Sequence, residues 1–224
     1  MPRRPTTASR RYAEAVFELA ERDGTVDAWL AALTAAAEAL TSETALRIVD
    51  NPAIPLRERK AAVEAILDSP AFERLLEQAL AQLPAPRADP ATVRRQIAER
   101  VERQLTNLVG LLVESRRVTL LPRVADAFRR LVYARRDIVE AEVASAAPLT
   151  DVERDALRER LARLTGRRVE LRERVDPGLL GGLVVRIGDR LYDGSVRGRF
   201  ERLRNRVLAK GRSWAAGAAS PSGA

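Results

Sequence analysis

Between Val175 and Arg199 the chain reads VDPGLLGGLVVRIGDRLYDGSVRGR, a run dense enough in glycine to cradle a phosphate with backbone amides. A P-loop needs GxxxxGK[ST], and no such string occurs. A dinucleotide fingerprint places its glycines after a strand and before a helix, whereas Gly178, Gly181 and Gly182 precede the apolar run Leu183-Val184-Val185. Only Gly194-Ser195, ahead of the last helical pattern, could offer amides to an anion. The remaining explanation is structural. Asp176, Pro177, Gly181, Gly182, Gly188, Asp193, Gly194 and Ser195 are turn residues that supply positive φ, fixed φ or a cap.

Other chemistry is sparse. Cysteine and histidine are both absent, which removes thiolate and imidazole metal ligands and every nucleophile that depends on a histidine base. Lys60 and Lys210 are the two lysines, and both fit solvated helix charges. Glu140 and Glu142 fall on one face of an alternating segment, and Asp151, Glu153 and Asp155 crowd a helix start, where acids are favoured by the macrodipole. No catalytic residue, metal site or cofactor site is expected. Tyr12 and Trp29, large aromatics in alanine-rich surroundings, fit either core packing or the border of a groove that accepts another helix.

The formal charge is +8, and the surplus sits at the two ends: Arg3, Arg4, Arg10 and Arg11 precede the first acid, and a second basic cluster runs from Arg197 to Arg212. The body between them is slightly acidic, and aromatics make up only 4% of the chain, which argues against nucleic acid as the main partner. No apolar run approaches the roughly 18–20 residues needed to span a bilayer, and the basic opening lacks the apolar stretch of a secretory signal. A soluble chain in a reducing compartment is the expectation.

The elements that position these residues follow from periodicity. Tyr12, Ala13, Val16, Phe17 and Ala20 predict a first helix ended by Asp23-Gly24, and Val26, Trp29, Leu30, Leu33, Ala37 and Leu40 a second. A short third element holds Leu46, Ile48 and Val49. A fourth helix runs from Leu56 to Leu67, and a fifth follows the Ser69-Pro70 start with Phe72, Leu75, Leu76, Ala79, Leu80 and Leu83. Beyond the proline-rich PAPRADP break, Val93 to Leu112 makes a sixth. The fold class predicted is mainly α, an N-terminal six-helix bundle over residues 1–116 followed by a small α/β domain over 117–212 and a disordered tail at 213–224. In the second domain a helix around Leu121–Val132 leads to the alternating strand Ile138–Ala146. The Thr150/Glu153 capping box opens a helix with a stripe through Val152, Ala156, Leu157, Leu161 and Leu164, ended by Gly166. Strands follow at Arg168–Val175 and Leu183–Ile187. Ser195 caps a last helix with Val196, Phe200, Leu203 and Val207 on its inner face.

The order and spacing of VDPGLLGG…VRIGDRLYDGSVRGR, preceded by SRRVTLLPRVADAFRRLV and VASAAPLT and opened by RYAEAVFELAERDGTVDAW, closely resemble the delta subunit of F-type ATP synthases. The mitochondrial counterpart is the oligomycin-sensitivity-conferring protein. The resemblance covers residues 9 to 210; the PAPRADP break and the Gly-Ala-Ser tail depart from it. It implies a non-catalytic peripheral-stalk, or stator, subunit without cofactor, present in one copy per complex. The N-terminal bundle would bind the N-terminal segment of an alpha subunit, and the C-terminal domain would hold the b-type stalk subunits. The complex carries out proton-driven ATP synthesis, so the chain would resist rotor torque at the cytoplasmic face of the cell membrane and meet the membrane only through the complex. By similarity, the alpha contact falls on Tyr12, Trp29, Phe72 and Leu76, and the stalk contact near Phe200 and Leu203.

Overall fold

The computed structural model describes residues 6–84, 88–201 and 204. Leu203, Val207, Lys210 and the tail over 213–224 lie outside the described residues, as does the centre of the proline-rich break. The chain divides between Arg135 and Arg136 into two units with separate cores.

The first unit opens with α1 (Thr7–Asp23) and α2 (Val26–Leu40). α1 starts where the Thr6 hydroxyl accepts from the Ser9 amide at 3.3 Å. It stops at Gly24, whose φ of 68° is the left-handed C-cap that the Asp23-Gly24 pair predicts. α2 is buried nearly all round, which explains its composition: alanines at 28, 31, 32, 35, 36 and 37 let neighbouring helices approach from several sides. α3 (Glu43–Val49), α4 (Leu56–Leu67) and α5 (Pro70–Ala81) follow, the last capped by Ser69 accepting from the Phe72 amide at 3.2 Å. α5 lies against α2.

The long sixth helix is broken into α6 (Pro90–Gln96), a π-helical turn at Ile97–Val101, and α7 (Glu102–Glu114). Val93, Ile97, Val101 and Leu105 repeat every four residues and are all buried. A strict four-residue repeat over-rotates an α-helix by about 40° per step. The wider π turn takes up that drift and keeps the stripe on the core. It also brings Gln96 and Arg100 over the end of α1, where they donate to the carbonyls of Gly24 (3.3 Å) and Asp23 (3.4 Å). α4 is tied to α7 by Lys60 paired with Glu114 and by the buried Arg59 donating to the Val113 carbonyl at 3.3 Å.

The expected boundary after residue 116 and the six-helix count both stop short of what the core requires. Arg116 and Arg117 form only a turn, Arg116 holding a left-handed φ of 54°. Val118–Leu120 then leads into α8 (Leu121–Arg135), which packs on α1 and α2. Leu121, Val124, Phe128 and Val132 are fully buried there, and Phe128 meets Phe17 edge-on with ring centroids 5.7 Å apart. The polar Glu114–Arg117 run looks like a linker in sequence because its side chains are solvated. The apolar stripe beyond it nevertheless completes the first core.

The second unit is a four-stranded sheet in the order β2-β1-β3-β4, with β1 at Ile138–Ser145, β2 at Arg168–Val175, β3 at Leu183–Ile187 and β4 at Arg190–Asp193. β1 and β2 run parallel, Ile138 opposite Arg168, through the crossover helix α9 (Asp151–Thr165); β3 is antiparallel to both β1 and β4. The capping box is present: the Glu153 amide donates to the Thr150 hydroxyl and the Thr150 amide to the Glu153 carboxylate, which holds that carboxyl below its ordinary range. β4 is an addition to the expected three strands, hidden because four residues with a charge at either end show little alternation. The stripe of α9 is also narrower than its periodicity suggests. Leu157 and Leu161 pack with Ala141, Val143, Val169 and Val185, while Val152 and Leu164 overhang into solvent.

Candidate functional site

The glycine-rich segment is a closed set of turns. Asp176 leaves β2 with its amide donating to the Ser145 carbonyl at 2.8 Å, and its carboxylate accepts from the Gly178 amide at 3.0 Å. Pro177 fixes the next φ, and the Leu179 amide closes the turn on the Asp176 carbonyl at 3.0 Å. Gly188 has a φ of 56° at the start of the two-residue β3–β4 turn, where primed hairpin turns require a positive φ. Gly182, at φ 79°, lies so near the β4 exit that a Cβ there would stand 2.5 Å from the Gly194 carbonyl oxygen.

That close approach is held by four amides. Gly194 donates to the Leu183 carbonyl at 2.9 Å, and Val196 to the Gly181 carbonyl at 3.0 Å. Ser195 donates to the Asp193 carboxylate at 2.8 Å, and Gly198 to the Ser195 hydroxyl at 3.0 Å. The Gly194 and Ser195 amides, with those of Val196 and Gly198 beside them, are therefore spent inside the chain. The anion-cradle alternative at Gly194-Ser195 fails on this geometry.

Three of the carboxylates noted in the sequence are held in ion pairs. Asp151 pairs with Arg154, Asp155 with Arg158 at 2.6 Å, and Glu140 with Arg172 at 3.4 Å. Arg154 also grips Glu173 at 2.5 Å, and these two acids raise its pKa, Glu173 foremost. Glu170, absent from the sequence-derived candidates, stands opposite Glu140 across the β1–β2 ladder. Burial first, and then the Glu140 charge, push its carboxyl upward, against the opposing pull of Arg158.

The aromatic and aliphatic candidates separate by burial. Trp29, Phe72 and Leu76 are core residues, Trp29 only 1% exposed, so the packing explanation holds for them. Tyr12 is half-buried and lines a cleft of about 360 Å³ with Ala8, Arg11 and Arg117. Phe200 was expected on an inner face but is 68% exposed, with Val196 half-buried and Gly198 buried in the same helical stretch, residues 196–201. Gly198 faces Asp193, and a side chain in its place would displace that carboxylate. The contact face of this stretch thus runs through small residues rather than the ring. Arg11 and Arg117 were missed in sequence because they lie more than a hundred positions apart and join only when α7 ends beside α1.

No described helix is long and apolar enough to cross a membrane. The chain matches the family model for the ATP synthase delta (OSCP) subunit over residues 8–86 and 76–207. It is 37% identical over 199 residues to ATP synthase subunit delta of Thioalkalivibrio sulfidiphilus, covering 88% of this chain and 94% of that protein. It is 34% identical over 203 residues to ATP synthase subunit delta of Acidiphilium cryptum, covering 90% of this chain and 88% of that protein. Its fold is similar to a chain in the Toxoplasma gondii mitochondrial ATP synthase hexamer, with a TM-score of 0.57, 20% identity, and coverage of 91% of this chain and 98% of that one. On the turn geometry and the near full-length matches, this chain belongs to the ATP synthase delta (OSCP) subunit family.

Proposed function

We propose that this chain is the non-catalytic stator subunit joining the catalytic head of an F-type ATP synthase to its peripheral stalk. The first unit takes the N-terminal segment of an alpha subunit on the α1 and α5 side, and the second unit holds the b-type stalk subunits. The chain works at the cytoplasmic face of the cell membrane, reaching the membrane through the complex. The observation that carries this reading is a family member built as two units with separate cores, one helical and one mixed, which suits a connector holding a different partner at each end. Two simultaneous attachments raise the effective concentration of each partner for the other and resist the torque that would turn the head with the rotor.

Of the contact residues inferred by similarity, Tyr12 and Phe200 are the accessible ones. Phe72 and Leu76 support the α5 side from beneath, and Trp29, buried in the same core, serves as a fluorescence reporter. Leu203 lies outside the described residues. The test is co-purification with the alpha and b subunits of the same organism, using the intact chain and a pair of fragments cut between Arg135 and Arg136. The expected result is that the first fragment retains alpha and the second retains b. Retention of both partners by one fragment, or of neither by either, would refute the two-ended connector.

A further inference from the structure

We propose that the cleft formed by Arg11, Tyr12 and Arg117 is a carboxylate receptor that takes an aspartate or glutamate side chain from the alpha-subunit segment bound to the first unit. This rests on the stator reading above and specifies the chemistry of its head-side contact. Arg11 and Tyr12 project from the second turn of α1, and Ala8, one turn earlier, leaves space beside the ring. Arg117 comes from the turn that ends α7, where its amide donates to the Leu112 carbonyl at 2.7 Å after the left-handed Arg116. The buried Val118 anchors the next position. Arg11, Tyr12 and Arg117 therefore line one opening.

Several basic side chains of the first unit pair with its own acids: Arg10 with Glu14 at 3.5 Å, Arg135 with Glu21 at 2.7 Å, and Lys60 with Glu114. Arg11 and Arg117 do not, and among the described residues neither side chain has an ion-pair partner. The remaining segments cannot supply a carboxylate side chain either. Residues 1–5, 85–87, 202–203 and 205–224 contain no aspartate or glutamate, so all 31 acids of the chain lie among the described residues. Within the first unit both arginines are open to a carboxylate side chain from a partner. Two like charges held together at an opening with a hydroxyl donor match the two oxygens of a carboxylate, which accept paired N–H donors from guanidinium. A cleft of about 360 Å³ admits one such side chain with its stem against Tyr12 and Ala8.

The experiment measures binding of the full chain to the isolated catalytic head, and to a synthetic alpha N-terminal peptide of the same organism, over a range of salt. R11Q and R117Q are each expected to weaken binding about tenfold, and the double variant about a hundredfold with a flatter salt dependence. Thermal unfolding should be unchanged, because both side chains are exposed. Changing the peptide's acids one at a time to amides should reproduce the loss at a single position, and that amide should add nothing to the double variant. If the wild-type chain binds neither head nor peptide, the stator reading itself fails. If the wild type binds and the double variant binds equally well, the receptor is overturned while the stator reading survives. Binding to phosphatidylglycerol vesicles that needs Arg11 and Arg117, with head binding unaffected, would also overturn it.

Discussion

Gly182→Ala tests whether the glycine-rich segment acts through close backbone approach. The substitution has two separable consequences. A Cβ at the φ of 79° puts an ordinary residue in left-handed backbone, which costs about 1–2 kcal/mol. The new atom also meets the Gly194 carbonyl oxygen at 2.5 Å and the Ser195 Cα at 3.0 Å, and neither is the flexible end of a side chain. Backing the β4 exit away would stretch the bonds from Gly194 to Leu183 and from Val196 to Gly181, each contributing about 1 kcal/mol. The expected destabilisation of the second unit is therefore about 3–4 kcal/mol, a large share of a small unit's stability. Gly188→Ala is the control: its φ of 56° imposes the same kind of backbone cost, but nothing lies within 4 Å of its Cβ, so it should cost only about 1–2 kcal/mol. Native-state hydrogen exchange at the Gly194 and Val196 amides reads the difference, with at least tenfold lower protection in Gly182→Ala than in Gly188→Ala. Equal protection in the two variants would refute the close-approach argument.

Further outcomes follow from the cores and the sheet. A fragment ending at residue 116 should lack cooperative unfolding while one ending at Arg135 melts normally, because Leu121, Val124, Phe128 and Val132 together contribute about 6–12 kcal/mol of burial; matching melts would contradict this. Trp29→Phe should change stability by less than about 1 kcal/mol, since the buried indole N–H has no hydrogen-bond partner among the described residues and its loss offsets the smaller ring. Trp29→Ala should cost about 3–5 kcal/mol, both measured by denaturant titration. Glu170→Gln should raise the melting temperature at neutral pH. The folded-state pKa of Glu170 is raised, so the native state holds that proton more tightly than the unfolded chain, and ionisation opposes folding. That opposition lifts as pH falls through the folded pKa, so the advantage of the variant should shrink on acidification; an advantage that grows in acid would reverse the sign. Glu140, Arg158 and Arg172 are the charges around this site.

The boundaries of most elements were legible because they depend on local chemistry. Ser69 ahead of Pro70, Gly24 and Gly166 in left-handed backbone, and the reciprocal Thr150/Glu153 bonds each act within a few residues of themselves. The turns at Asp176, Gly182 and Gly188 act over the same short range, and the order of the glycine-rich segment carried the family. The domain boundary was not, because a solvated turn at Arg116-Arg117 and a linker have the same composition. The π turn was not either, since a four-residue repeat shows that a drift must be absorbed without showing where.

Sequence alone determined that histidine and cysteine chemistry is impossible, that the helices alternate with polar breaks, and which family the glycine spacing belongs to. The tertiary structure decided which aromatic side chains stay accessible. Tyr12 and Trp29 read alike in sequence, yet one borders a cleft and the other fills the core, because α2 is surrounded and α1 is not. It also decided that Arg11 and Arg117 share an opening, since side chains so far apart along the chain meet only once the helices have packed.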